Sequence, residues 1–180
     1  MSEQPLVWID LEMTGLDPER EVVVELAVIV TDGDLRVIEE GPDLVVAAPE
    51  EALERMDPFV RDMHTKSGLL DEIRASRISL EEAEREVLAF VRRHVPEART
   101  APLAGNSVHA DRLFMRRYLR ALDAHLHYRI VDVSTVKELA RRWYPETFAA
   151  APPKAEGHRA LADIRESIAE LRWYRERLFR

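Results

Sequence analysis

The feature that most constrains the fold is a pair of apolar, β-branched segments joined by a tight-turn signal. EVVVELAVIVTD (21–32) has the length and composition of a buried strand. Asp32-Gly33 is typical of a hairpin turn, and LRVIEEGPDLVV (35–46) would return antiparallel to the first segment. LVWID (6–10) is a further apolar run with strand character. The N-terminal part of the chain therefore predicts a three-stranded antiparallel meander.

The rest of the chain alternates helical and strand patterns. Short strands are predicted at 102–106 and 128–134, and loops with short helices over 49–77. Longer helices are predicted over 78–95, about 108–124, 136–144 and about 159–178, and a loop at AAAPPKAEG (149–157). In the second of these helices Leu113, Tyr118 and Leu122 recur at helical spacing. We expect a single domain over residues 1–180, an α/β or α+β layered fold with a mixed sheet flanked by α-helices.

Composition narrows the possible partners. The formal net charge is −8, and the chain has no cysteine. Long nucleic acids are usually gripped by a broad basic surface, so a nucleic-acid partner of this chain would be short. No signal-peptide pattern opens the sequence, and no apolar run reaches the roughly 20 residues of a membrane span. We expect a cytoplasmic protein with no membrane partner.

Two acids, Asp10 and Glu12, follow the first apolar run in VWIDLEMTGLD (7–17). Side chains two positions apart on a strand share a face, so these carboxylates would repel each other and be costly to desolvate. A divalent cation such as Mg²⁺ or Mn²⁺ would remove both costs. Alternatively, Glu12 lies in a solvated loop and Asp10 caps a turn.

Two further acids lie near predicted helix starts that follow glycine turns. Asp111 follows GNSVHA and Asp163 follows GHRALA. Both could simply favour the helix dipole, but the turns would also deliver them beside a sheet edge. His158, directly after Gly157, could swing as a general base or could be exposed and inert. Exposure without function is the default expectation for the other histidines, His64, His94, His109, His125 and His127. HEXXH is absent, which argues against a zinc protease.

These five residues together form a recognisable set. Asp10 and Glu12, then Asp111, then His158 and Asp163 in an H-x4-D spacing, resemble the DEDDh 3′–5′ exonucleases of the ribonuclease H-like superfamily. Longer segments, in the same order over nearly the whole chain, are similar to the oligoribonuclease family: WIDLEMTGLDPE (8–19), HTKSGL (64–69), GNSVHADRLFM (105–115), HYRIVDVSTVKELARRWYP (127–145) and HRALADIRESIAELRWYR (158–175).

The resemblance implies a fold and an activity. The fold would be the ribonuclease H-like mixed β-sheet, an antiparallel meander plus parallel strands, flanked by α-helices. The protein would be a metal-dependent 3′-to-5′ exoribonuclease that hydrolyses short oligoribonucleotides, especially dinucleotides, to 5′-mononucleotides at the end of RNA degradation. His158 would be the base that takes a proton from the attacking water. Two Mg²⁺ or Mn²⁺ ions would be held by Asp10, Glu12, Asp111 and Asp163.

The resemblance also implies substrate contacts. Leu16 would wedge between two bases. Phe59, where the family commonly has tryptophan, would stack on a base and would offer a smaller ring surface than tryptophan does. Tyr128 would act across the subunits of a homodimer. Polar contacts near the substrate are implied for His64, Ser107, Arg129 and Ser134. An arginine and hydroxyls that close around a terminal 5′-phosphate would cap the site and favour dinucleotides.

Other interpretations remain open at this point. Leu16 could be a core residue, Phe59 could pack under a loop, and Arg129 could pair with a surface acid. A DEDDh exonuclease for longer DNA or structured RNA is a rival function, although HYRIVDVST and the low basicity argue against it. A catalytically inactive binding module is another, although no member of the acidic set is lost.

Overall fold

The computed structural model describes residues 4–153 and 157–179. In these residues five strands form one mixed sheet in the order β3-β2-β1-β4-β5. β1 pairs antiparallel with β2, which pairs antiparallel with β3, while β4 runs parallel to β1 and β5 parallel to β4. The predicted meander and mixed sheet are confirmed. The strands are Leu6–Met13 (β1), Val23–Thr31 (β2), Val37–Val45 (β3), Pro102–Gly105 (β4) and His127–Asp132 (β5).

Helices pack on both faces of the sheet. The helix Leu80–His94 begins with a capping box, in which Ser79 Oγ accepts from the Glu82 amide and the Glu82 carboxylate accepts from the Ser79 amide. None of the helices in the described ranges has the length and hydropathy that a membrane span requires. The helices are Glu50–Glu54 (α1), Pro58–Lys66 (α2), Leu69–Ala75 (α3), Leu80–His94 (α4), His109–Tyr118 (α5), Arg120–His125 (α6), Val133–Trp143 (α7), Pro145–Ala149 (α8) and Ala160–Leu178 (α9).

The structure differs from the predicted helices in two places. The helix expected over 108–124 is broken at Leu119, which leaves helical geometry (φ −122°, ψ 56°) and is buried. Leu113, one of the residues at helical spacing, is half-exposed, whereas Phe114 and Met115 are buried in the core. α8 was not predicted. Of the loop predicted at 149–157, residues 154–156 lie outside the described part of the chain.

Strand β1 divides the core into two layers. Val7, Ile9 and Leu11 pack with α4 and α5, whereas Trp8 packs with α9 on the opposite face. Because side chains alternate along a strand, Asp10 emerges on the same face as Trp8, toward α9. The alternation of side chains along β1 therefore places Asp10 on the face of the sheet that packs against α9.

Candidate functional site

Three carboxylates meet where β1 approaches α9. Asp10 and Glu12 lie on β1 and Asp163 lies in the first turn of α9. One carboxylate oxygen from each lies within 4.8 Å of the others, an arrangement that could hold a divalent metal ion. Glu12 is part of the strand and only 8% exposed, so the alternative that places it in a solvated loop is wrong.

A fourth acid, Asp111, lies beside this group. It is in the first turn of α5 and is buried, and its Oδ1 accepts a 3.0 Å hydrogen bond from the Leu11 amide. That bond fixes Asp111 next to the backbone between Asp10 and Glu12. The charge of Asp111 contributes to raising the pKa of Asp10, so the two carboxylates lie within electrostatic reach of each other.

The acids are held in an environment that opposes their ionisation. Burial raises the pKa of Glu12 to about 8, and repulsion from Asp163, Glu25 and Asp111 adds to the effect. Burial raises the pKa of Asp111 to about 7. Burial, with repulsion from Asp111 and Glu12, raises the pKa of Asp10 well above its usual range. Buried oxygen ligands that cannot all carry charge by themselves fit a hard divalent cation, which would supply the missing positive charge.

Two histidines accompany the acids. His64 is buried, its Nε2 lies 2.8 Å from the Met13 carbonyl oxygen, and its Nδ1 lies 4.0 Å from Glu12 Oε2. The expected exposure of His64 is therefore wrong, as it also is for His125, which is buried against the Val95 carbonyl. Burial lowers the pKa of His64, and the proximity of His158 lowers it further. His158 itself is exposed and has a left-handed backbone (φ 46°).

His158 opens onto a groove of about 470 Å³. Phe59, in the first turn of α2, lines the same groove and is 76% exposed. Leu16, in the loop between β1 and β2, is 79% exposed. The alternatives in which Leu16 is a core residue and Phe59 packs under a loop are therefore wrong. The Leu16 loop is anchored by Tyr118, whose hydroxyl lies 2.9 Å from the Pro18 carbonyl oxygen.

A hydroxyl cluster occupies the ends of β4 and β5. The Ser107 amide donates to Asp132 Oδ1 and to Ser134 Oγ, each at 2.9 Å, and the two serine hydroxyls lie 3.0 Å apart. Asn106 Oδ1 accepts from Ser134 Oγ at 3.1 Å. Sequence reasoning missed Asn106 and Asp132. The signals were an asparagine in the turn after β4 and an Asp-x-Ser pattern at the start of α7, where Asp132 caps the helix.

The strand register separates Tyr128 and Arg129 from the acids of their own chain. Val7 is level with Leu103 of β4. A register shift in β5 then brings His127, the residue before Tyr128, level with Pro102. Tyr128 therefore lies roughly 12 Å before Asp10 along the strand direction, and two strands away. Tyr128 is 72% exposed on the edge strand, and the Arg129 guanidinium lies 5.5 Å from its ring centroid. The structure brings the acids and His158 to one end of the sheet and leaves these two residues toward the other.

Known proteins share both sequence and fold with this chain. The RNase_T exonuclease model matches residues 7–171. Oligoribonucleases of Mycobacterium sp. (strain KMS) and Streptomyces avermitilis are 55% and 58% identical over 97% of this chain, and the matches span 81% and 86% of those proteins. The oligoribonuclease, mitochondrial, of Bos taurus is 51% identical over 98% of this chain and 74% of its own length.

Solved structures agree on the fold. The zinc-bound complex of E. coli exonuclease I with single-stranded DNA superposes with a TM-score of 0.77 at 16% identity, over 99% of this chain. This chain spans only 42% of that protein, and identity this low establishes the architecture alone. The near-full-length identity above 50% to several oligoribonucleases is what assigns the family. The chain belongs to the oligoribonuclease family of exonucleases.

Proposed function

We propose that the protein is a metal-dependent 3′-to-5′ exoribonuclease that hydrolyses short oligoribonucleotides, especially dinucleotides, to 5′-mononucleotides as the last step of RNA degradation. The observation that carries the proposal is the close group of Asp10, Glu12 and Asp163 carboxylates in a member of the oligoribonuclease family. An inactive binding module would gain nothing from keeping four acids in positions where each raises the electrostatic cost of the next.

The acids would hold the metal. Asp10, Glu12 and Asp163, with Asp111 alongside, fit two Mg²⁺ or Mn²⁺ ions, because all their donors are hard carboxylate oxygens. When bound, such ions activate a water and offset the charge on a phosphate. His158, exposed in the groove, would take the proton from the attacking water, because imidazole is the usual general base near neutral pH.

Two exposed apolar side chains, Phe59 in the groove and Leu16 in the loop between β1 and β2, would bind the bases. Leu16 and Phe59 have no core role that explains them, since each is more than three-quarters exposed. Stacking on Phe59 and a wedge at Leu16 would accommodate two bases, with binding that is tolerant of sequence. His64, Ser107 and Ser134 would provide polar contacts. The net charge of −8 agrees with a substrate that has few phosphates.

Tyr128 and Arg129 would act on the site of a second subunit. The register leaves them toward the other end of the sheet from the acids of their own chain. Tyr128 lies on the edge strand β5, where it lines a groove with Leu113 and Ile130, which are also exposed. A homodimer that joins these edges would bring Tyr128 and Arg129 to the partner's bound nucleotide. There they could close around its 5′-phosphate and limit substrate length. The cytoplasmic location stays a prediction from the sequence.

A short labelled RNA tests the proposal. A 5′-labelled tetraribonucleotide with Mg²⁺ should give labelled trimer, dimer and then monomer in succession, as removal of nucleotides from the 3′ end requires. Chelation of the metal, or Asp10→Asn, should abolish the reaction, whereas Asp71→Asn, a change at an exposed acid of α3, should leave it intact. Immediate release of labelled monomer, or full activity of Asp10→Asn, would refute the proposal.

A further inference from the structure

Glu25 is a fully buried acid (0% exposed) on β2. Both oxygens of its carboxylate accept hydrogen bonds from residues at the start of α9. Its Oε1 accepts from Arg159 Nε at 2.9 Å, and its Oε2 accepts from the Ala160 amide at 3.0 Å. α9 has no capping side chain of its own at Arg159. Glu25 therefore supplies, from a neighbouring strand, the acceptor that an N-cap residue would normally provide.

Arg159 extends this contact to a second element. Its two Nη atoms donate to Glu72 on α3, at 2.9 and 2.8 Å, in a bidentate pair. A guanidinium is planar and its donors have a fixed geometry, so contacts with Glu25 and Glu72 together determine its orientation. The backbone of Arg159 is thus tied to both β2 and α3.

This tie lies directly beside His158. The ring of His158 is exposed, so its position depends on the backbone that carries it. On one side of His158 is Gly157, which allows wide rotation, and on the other is Arg159. His158 also has a left-handed backbone, a conformation that a non-glycine residue keeps only where neighbouring structure imposes it. Asp163, whose amide donates to the Arg159 carbonyl, follows in the first turn of the same helix.

We infer that Glu25, Arg159 and Glu72 form a clamp that positions His158 for proton transfer and Asp163 for metal binding. The inference rests on the proposed function, because His158 is the base of that reaction. Glu25 is the buried anchor, Arg159 the bridge and Glu72 the outer contact. Glu72 is a positioning residue, because it acts on the reaction only through Arg159.

Glu72→Ala tests the clamp with the least risk to folding. Arg159 stays in place to compensate the buried Glu25, and only the outer contact is lost. Glu40→Ala is the matched control, because Glu40 forms a similar bidentate pair with Arg165, one to two turns into α9 rather than at the residue next to His158. With a diribonucleotide substrate and Mg²⁺, Glu72→Ala should lower kcat about 10-fold and leave KM within about 2-fold. Glu40→Ala should change neither.

A double-variant cycle separates positioning from general stability. In a His158→Ala background, Glu72→Ala should cause little further loss of kcat, because the residue that it positions is gone. Equal losses in both backgrounds, or an unchanged kcat in Glu72→Ala, would overturn the inference. If the wild-type protein itself fails to cleave the diribonucleotide, the proposed function fails instead.

Amide hydrogen exchange over residues 160–163 tests whether the clamp holds the start of α9, and this measurement does not depend on catalytic activity. Exchange in this segment should be faster in Glu72→Ala than in Glu40→Ala. Equal protection in the two variants would mean that no clamp exists.

Discussion

Glu12→Gln should stabilise the metal-free protein at alkaline pH while destroying its activity. Glu12 is 8% exposed and surrounded by acids, so its ionised form is strongly disfavoured in the folded chain. Glutamine has nearly the same shape but no charge to bury. The substitution would therefore remove the unfavourable free energy of burying an ionised carboxylate. In the proposed function, the folded protein keeps this carboxylate to bind metal.

The size of the effect follows from the pKa of Glu12. Raising it from 4.5 to about 8 corresponds to about 5 kcal/mol, at about 1.4 kcal/mol for each tenfold change in proton affinity. Because the folded pKa is the higher one, the cost is absent below about pH 4.5 and grows as the pH rises toward 8. Allowing for relaxation and water entry, we expect Glu12→Gln to raise the free energy of unfolding by about 3–5 kcal/mol at pH 8.5.

Urea unfolding in the presence of a chelator measures this difference. Tryptophan fluorescence is a suitable signal, because Trp8 is fully buried on the same strand as Glu12. The variant and wild type should converge near pH 4.5 and diverge as the pH rises. Glu86→Gln, at an exposed position of α4, should follow the wild type. Added Mg²⁺ should stabilise the wild type more than the variant, because the variant lacks a ligand. A variant no more stable than wild type at pH 8.5 without metal would refute the reasoning.

Three further predictions concern individual side chains. His158→Ala should lower kcat about 10²–10⁴-fold, because it removes the proton acceptor, while calorimetry should show unchanged Mn²⁺ binding. Leu16→Ala and Phe59→Ala should each raise the KM for a diribonucleotide about 5- to 100-fold, because a base contact is lost, with no fall in thermal stability since both side chains are exposed. Arg129→Ala should reduce the preference for diribonucleotides over longer RNA, measured as a ratio of kcat/KM values, and equal loss on both lengths would contradict a role in the length limit.

The sheet was predictable because its signals are local. Alternating apolar residues, β-branched runs and the Asp32-Gly33 turn each act over a few positions, and together they determine the meander. The same period of two put Asp10 and Glu12 on one face. Asp111 and Asp163 could be proposed because each lies in the first turn of a helix that follows a glycine turn. In the structure both lie beside the acids of β1.

The contacts of Arg159 and the placement of Tyr128 were not predictable, for the same physical reason. Glu25 lies within VVVELAVIV and resembles a polar interruption of a buried strand, while its partner Arg159 lies 134 residues later. An ion pair between distant positions leaves no local pattern. The separation of Tyr128 from the acids depends on the register of β4 against β5, which the sequence does not specify either.

The central claim is that this site consumes RNA of about two nucleotides and spares long strands. The most direct test offers equal concentrations of a 5′-labelled diribonucleotide and a long single-stranded RNA to the protein with Mg²⁺, and follows both over time. The account predicts rapid loss of the diribonucleotide while the long strand persists, with both stable in the presence of a chelator. Preferential degradation of the long strand would contradict it.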